Sequence, residues 1–151
     1  MITALKNEDT ITIRLFGEEK EVCVFSTGDN QFDENGDDKE DDFDLSEEEL
    51  EVLNWFLDNV KIEDYKKEIM EHCNERYSAY CDKEITIDDV EDEIDIDSIA
   101  INVTENWKAN DGFIYPEIAF FGSSLCDEEE GICIGFRDKK FLGIDLQNWI
   151  L

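Results

Sequence analysis

Basic residues are scarce in this chain. Thirteen Lys and Arg face forty-two Asp and Glu, for a formal net charge of −29 on 151 residues. That balance argues against nucleic acid and anionic membranes as partners, since both select a basic face. Proline occurs once and glycine eight times, which leaves little material for a flexible interdomain linker. No apolar run approaches the ~20 residues of a membrane span. The opening Met1-Ile-Thr-Ala-Leu-Lys has neither the basic nor the apolar region of a secretory signal. A single domain over 1–151, cytoplasmic in location, is the expectation.

The groups that carry most catalysis are equally thin. Histidine occurs once, as His72 beside Cys73. Neighbours on a helix point about 100° apart, so these two form no nucleophile–base dyad. The five cysteines (Cys23, Cys73, Cys81, Cys126 and Cys133) are odd in number. They read as free thiols in a reducing compartment, each serving as a small buried hydrophobe. No Cys-x-x-Cys or Cys/His pair has zinc-ligand spacing. Gly122-Ser-Ser-Leu-Cys126 lacks the second glycine of a nucleophile elbow, and no glycine-rich phosphate loop occurs. Carboxylates are so common that a pair of them carries no information about glycosidase chemistry. The chain is therefore expected not to be an enzyme, with no catalytic residues, cofactor, metal or small-molecule substrate.

Three Trp, four Tyr and ten Phe supply a core, and 41% of residues are hydrophobic. Chains this acidic are commonly disordered; this one has the aromatics to fold. Ile11, Ile13 and Leu15 alternate with polar residues, Val22–Phe25 is a second apolar run, and Gly17-Glu-Glu-Lys20 between them predicts a β-hairpin. The polar segment 28–44 reads as a mobile acidic loop. Ser46 with Glu49 is a capping box, and Leu45 with Leu50 a hydrophobic staple. They open a helix whose Leu50, Leu53, Leu57 and Val60 share a face. Ile62, Tyr65, Ile69, Cys73, Tyr77 and Tyr80 predict a second helix, joined closely enough to make an antiparallel pair.

Beyond it, a short helix is expected near Asp88–Ile94 and strands at Ile99–Thr104 and Phe113–Phe121. A hairpin of Gly131–Arg137 with Lys140–Ile144 follows, and the tail Trp149-Ile-Leu151 packs back. The class is α+β: an N-terminal hairpin, a central antiparallel helix pair, and C-terminal antiparallel strands forming a sheet against the helices.

The acids cluster. Asp29–Glu51 holds thirteen, Asp82–Asp97 nine, and Asp127–Glu130, which reads as a turn, four in a row, twenty-six of the forty-two. Asp33, Asn35 and Asp37 match the first EF-hand ligand positions. Asp38, however, stands at the glycine position and Asp44 at that of the final glutamate, with a hairpin instead of a helix before the loop. A basic protein partner accounts for the clusters better. The expected contact residues are Asp88, Asp89, Asp92, Glu93, Asp127, Glu128, Glu129 and Glu130. Unlike those of the 28–44 loop, they are flanked on ordered elements by apolar anchors such as Val90, Ile94 and Ile132, and ordering a mobile loop costs ~1–2 kcal/mol per residue.

A resemblance enters through Ile118-Ala-Phe-Phe-Gly-Ser-Ser-Leu-Cys-Asp-Glu-Glu-Glu-Gly-Ile-Cys-Ile-Gly-Phe, followed by Lys140-Phe-Leu-Gly-Ile-Asp. It resembles the end of a family of small acidic bacterial proteins of uncharacterised domain type. That family carries a strand, then Trp-Asp-x-Glu-His-Gly, then a strand pair. Asp127, Glu129 and Gly131 agree with the motif, while Cys126 replaces its Trp and Glu130 its His. Some members resemble immunity proteins, so the resemblance implies an inhibitor of a basic, nuclease-type toxin. The alternatives are a nucleic-acid mimic occupying the groove of a defence protein, or another acidic binding protein without catalytic activity.

Overall fold

A computed structural model describes residues 1–109 and 112–150. The protein is α+β, with a six-stranded mixed sheet and three helices. The strands are β1 (Thr10–Leu15), β2 (Glu18–Ser26), β3 (Ile94–Ile101), β4 (Ile118–Ser124), β5 (Asp127–Arg137) and β6 (Lys140–Asp145). They lie in the sheet in sequence order, and each neighbouring pair is antiparallel except β2 and β3. A parallel pair needs a crossover, and here it carries α1 (Glu47–Asn59), α2 (Lys66–Ser78) and the single-turn α3 (Val90–Glu93). β1 and β2 pair antiparallel, and through β3 they belong to the same sheet as the C-terminal strands.

Local chemistry explains the start of α1. The Glu49 amide donates to Ser46 Oγ at 3.1 Å, and the Ser46 amide donates to Glu49 Oε1 at 2.9 Å. Two of the helix's unpaired amide ends are satisfied in this way. Asn30 Nδ2 also donates to Glu49 Oε1, at 2.6 Å, and ties the 28–44 segment to the helix. Ser46→Ala should lower the free energy of unfolding by about 1 kcal/mol, read as a shift of the urea midpoint at unchanged slope. No shift would mean that the cap contributes nothing.

Helix and sheet meet through aromatics. Leu53 and Phe56 of α1 are buried, and the Phe56 ring lies 4.7 Å from Phe120 and 5.4 Å from Phe136. Tyr65, just ahead of α2, meets Phe136 edge to face and Phe141 at a tilt. Ile69, Cys73 and Tyr77 give α2 its inward face at i, i+4 spacing. α1 packs on β3 and β4, while α2 reaches β6 and α3. The sheet, more than a helix pair, organises this layer. The opposite sheet face carries Ala100, Ala119 and Cys133, small residues that leave room for Trp149 and Ile150 to pack over them. Trp149 Nε1 donates to the Ile114 carbonyl, and Thr27 Oγ1 to that of Ile150. Leu151 lies outside the described residues.

Several boundaries differ from the sequence expectations, each for a physical reason. The first turn is Phe16-Gly17, both with positive φ (54° and 82°), so Glu18–Lys20 belong to β2. β3 begins at Ile94, where the helix was expected to end, because Ile94 and Ile96 face the core while Asp95 and Asp97 face solvent. An irregularity between Ile96 and Ser98 then shifts the phase, so that Ile99 and Ile101 return to the same core. Gly122 is required there. A Cβ on it would stand 2.1 Å from the Asp95 carbonyl oxygen. β4 starts only at Ile118, and Pro116 precedes it, packing over Gly135.

Candidate functional site

The acidic residues expected to contact a partner converge on one end of the sheet. There, the end of α2, α3 and the turn between β4 and β5 come together. Thr86 opens the approach to α3, and Asp89 Oδ2 accepts from the Thr86 amide at 2.8 Å and from its hydroxyl at 3.1 Å. Those hydrogen bonds, the amide's first, hold the Asp89 carboxyl below its ordinary range. The β4–β5 turn is held to α3 by the Leu125 amide, which donates to the Glu93 carbonyl at 2.9 Å. Asp92, Glu93, Asp95, Ser123, Leu125 and Glu128 are among the residues lining the groove between them.

The eight residues do not all present themselves to a partner. Asp88, Asp89, Asp92, Glu128, Glu129 and Glu130 are exposed. Glu93, by contrast, is 4% exposed and accepts a hydrogen bond from the Tyr77 hydroxyl. It closes α3 on the inward side and leaves the contact surface. The Asp127 side chain is 9% exposed and pairs with Arg76 of α2, while its other oxygen accepts from the Glu130 amide at 3.1 Å. The run Asp127–Glu130 is not a turn. Ser124 pairs with Asp127 across Leu125-Cys126, which puts all four acids on β5.

The apolar residues beside these acids also differ from expectation. Val90, Ile94 and Ile132 belong to the core. The exposed ones are Tyr80 (59%), Ile87 (44%) and Leu125 (54%). Tyr80 is fixed at the end of α2 by its hydroxyl, which donates to the Cys126 carbonyl. Leu125 tips the turn, and Ile87 opens the single turn before α3. Large apolar side chains held in place among carboxylates are what a protein interface needs, because anchors supply affinity and charge supplies steering.

Directly beneath lies a polar cluster with no counterpart among the sequence expectations. Cys73 of α2, Glu93 of α3 and Cys126 of the turn are all buried. Their ligand-type atoms lie within 4.8 Å of one another, the one such group of three or more His, Cys, Asp or Glu among the described residues. Ser124 Oγ sits 2.9 Å from Cys126 Sγ and 3.9 Å from Cys73 Sγ. The neighbouring Cys73 thiol and the Ser124 hydroxyl outweigh burial at Cys126 and pull its thiol down. The neighbouring Cys126 sulfur, reinforced by burial, pushes Cys73 up. No short spacing announces the cluster, since positions 73, 93 and 126 meet only in the folded chain. His72 is half-buried on α2, and burial lowers its pKa.

The Asp33–Asp44 run forms no such group. Asp33 Oδ1 accepts from the amides of Asn35 and Asp37 at 2.8 and 3.0 Å, which closes a turn, and Phe32 bridges to Asp38. Among the described residues, no helix is long and apolar enough to cross a membrane. Comparison with known protein families, curated proteins and solved structures returns no match.

Proposed function

We propose that this chain is an acidic binding protein for a basic protein partner, acting in the cytoplasm without catalysis of its own. Its most specific form is an immunity protein that neutralises a nuclease-type toxin. The observation that carries the reading is the set of exposed anchors Tyr80, Ile87 and Leu125 among Asp88, Asp92 and Glu128–Glu130. A nuclease needs a cationic groove for its substrate. An anionic inhibitor meets such a groove by steered association, at up to ~10⁸–10⁹ M⁻¹s⁻¹ at low salt. The resemblance of Asp127, Glu129 and Gly131 to the motif of small acidic bacterial proteins supports the same reading.

A nucleic-acid mimic would gather its carboxylates in one phosphate-like row. Exposed acids here also occupy β2, the 28–44 segment and α1, a distribution that favours a general field with one local contact. The test is co-expression with the products of adjacent genes. A basic product should co-purify with this chain and lose its toxicity in its presence. Undiminished toxicity and no complex with any of them would overturn the proposal.

A further inference from the structure

We propose that Cys73, Cys126 and Glu93 form a binding site for one thiophilic divalent cation of the zinc type, entered from the acidic groove beside Leu125. The donor set suits that ion: two sulfurs and a carboxylate oxygen, all buried, are ligands that zinc takes in tetrahedral sites. Zn–S distances near 2.3 Å and Zn–O near 2.1 Å set ligand atoms roughly 3.6–3.8 Å apart. The observed upper limit of 4.8 Å is within about 1 Å of that, a gap that side-chain rotation closes. A water fills the fourth position.

Charge and support agree with the donor set. Glu93 makes no ion pair among the described residues, so no basic side chain there competes with a cation for its carboxyl. The Tyr77 hydroxyl already orients the carboxylate, and Ser124 already touches Cys126. Such outer partners hold metal ligands in place. The groove reaches Glu93 and Ser124 directly, and Asp92, Asp95 and Glu128 line it, so its field concentrates cations at the entrance. Binding sends the two thiol protons to solvent and therefore tightens as pH rises. Cys133 lies on the opposite face of the sheet and serves as an internal control.

The experiment is a titration of the full chain with Co²⁺ alone, under reducing conditions. Cobalt held by thiolates shows a sulfur-to-metal charge-transfer band, which surface carboxylates do not give. One equivalent is expected to saturate that band, and one equivalent of Zn²⁺ to displace it. Cys73→Ser and Cys126→Ser should lose the band, Cys133→Ser should keep it, and Glu93→Gln, which removes a direct ligand, should weaken binding by more than the ~10- to 100-fold that losing an outer partner costs. A band that is absent, or that survives both ligand-cysteine variants, overturns the proposal. Site-resolved alkylation of the unmutated chain covers the case of variants that do not fold. Zn²⁺ should slow modification of Cys73 and Cys126 and leave exposed Cys81 unchanged. Equal rates with and without Zn²⁺ would likewise overturn it.

Discussion

Changing Asp88, Asp92, Glu128 and Glu129 together to lysine should slow association with the basic partner about 100-fold at low ionic strength. Each reversal adds two charges, so the four move the formal net charge from −29 to −21. A general field of −21 still attracts a cation, so a fall of this size requires the loss to be local. All four residues are exposed, and Asp92 and Glu128 line a groove with Leu125, where a docked partner would face lysines. Stopped-flow mixing across a salt series reads the effect. The variant's rate should also depend less steeply on salt, because screening acts on the charges that steer.

The control is neutralisation of Asp33, Glu34, Asp37 and Asp38 to their amides. These four are as exposed as the first set, but they stand on the 28–44 segment away from Tyr80 and Leu125. Affinity should stay within about tenfold, ~1.4 kcal/mol. If the loop variant lost more than the reversal, the contact would lie on that segment instead.

The second large effect concerns the core that holds the site in place. Phe56→Ala should cost about 3–5 kcal/mol of stability, a large share of the ~5–15 kcal/mol available to a domain. Phe56 is 1% exposed and packs on Phe120 of β4 and Phe136 of β5, so truncation opens a cavity between α1 and two central strands. Urea unfolding followed by tryptophan fluorescence measures the loss. A cost below about 1 kcal/mol would mean that α1 is not packed on the sheet through this side chain.

How far the sequence could be read depended on how local each signal was. The capping box of Ser46 and Glu49 was legible because both partners lie within one helical turn, and the structure forms both of its hydrogen bonds. The turn Asp138-Lys139 was legible for the same reason: both residues have positive φ and close β5 onto β6. The start of β3 was not. Ile94 suits either a helix end or a strand until β4 is placed beside it, and the phase shift between Ile96 and Ser98 breaks the alternation that identifies strands. Nor could composition show that Asp127–Glu130 begins a strand, since four acids in a row read as solvated whether they lie in a turn or on a strand.

The site shows the same division. The acidic end was legible from charge clustering, and six of its eight residues are exposed. Glu93 and Asp127 read like their neighbours in sequence. Only tertiary partners, the Tyr77 hydroxyl and the Arg76 guanidinium, take them out of the surface. The exposed anchors were missed because Tyr80 and Ile87 continue apolar patterns that elsewhere go inward, and a lone Leu125 in a turn carries no periodicity. The cluster of Cys73, Glu93 and Cys126 was invisible, because metal and thiol chemistry is recognised in sequence by short spacings and this one has none.

The most direct measurement is a calorimetric titration of the purified chain with the basic product of an adjacent gene, at low and at moderate ionic strength. A one-to-one complex is predicted, tight at low salt, weaker at moderate salt, and lost when Tyr80 and Leu125 are both changed to alanine in a chain that remains folded. The absence of binding heat with every basic product would contradict a partner-binding role. Affinity unchanged by salt and by the loss of both anchors would contradict the site.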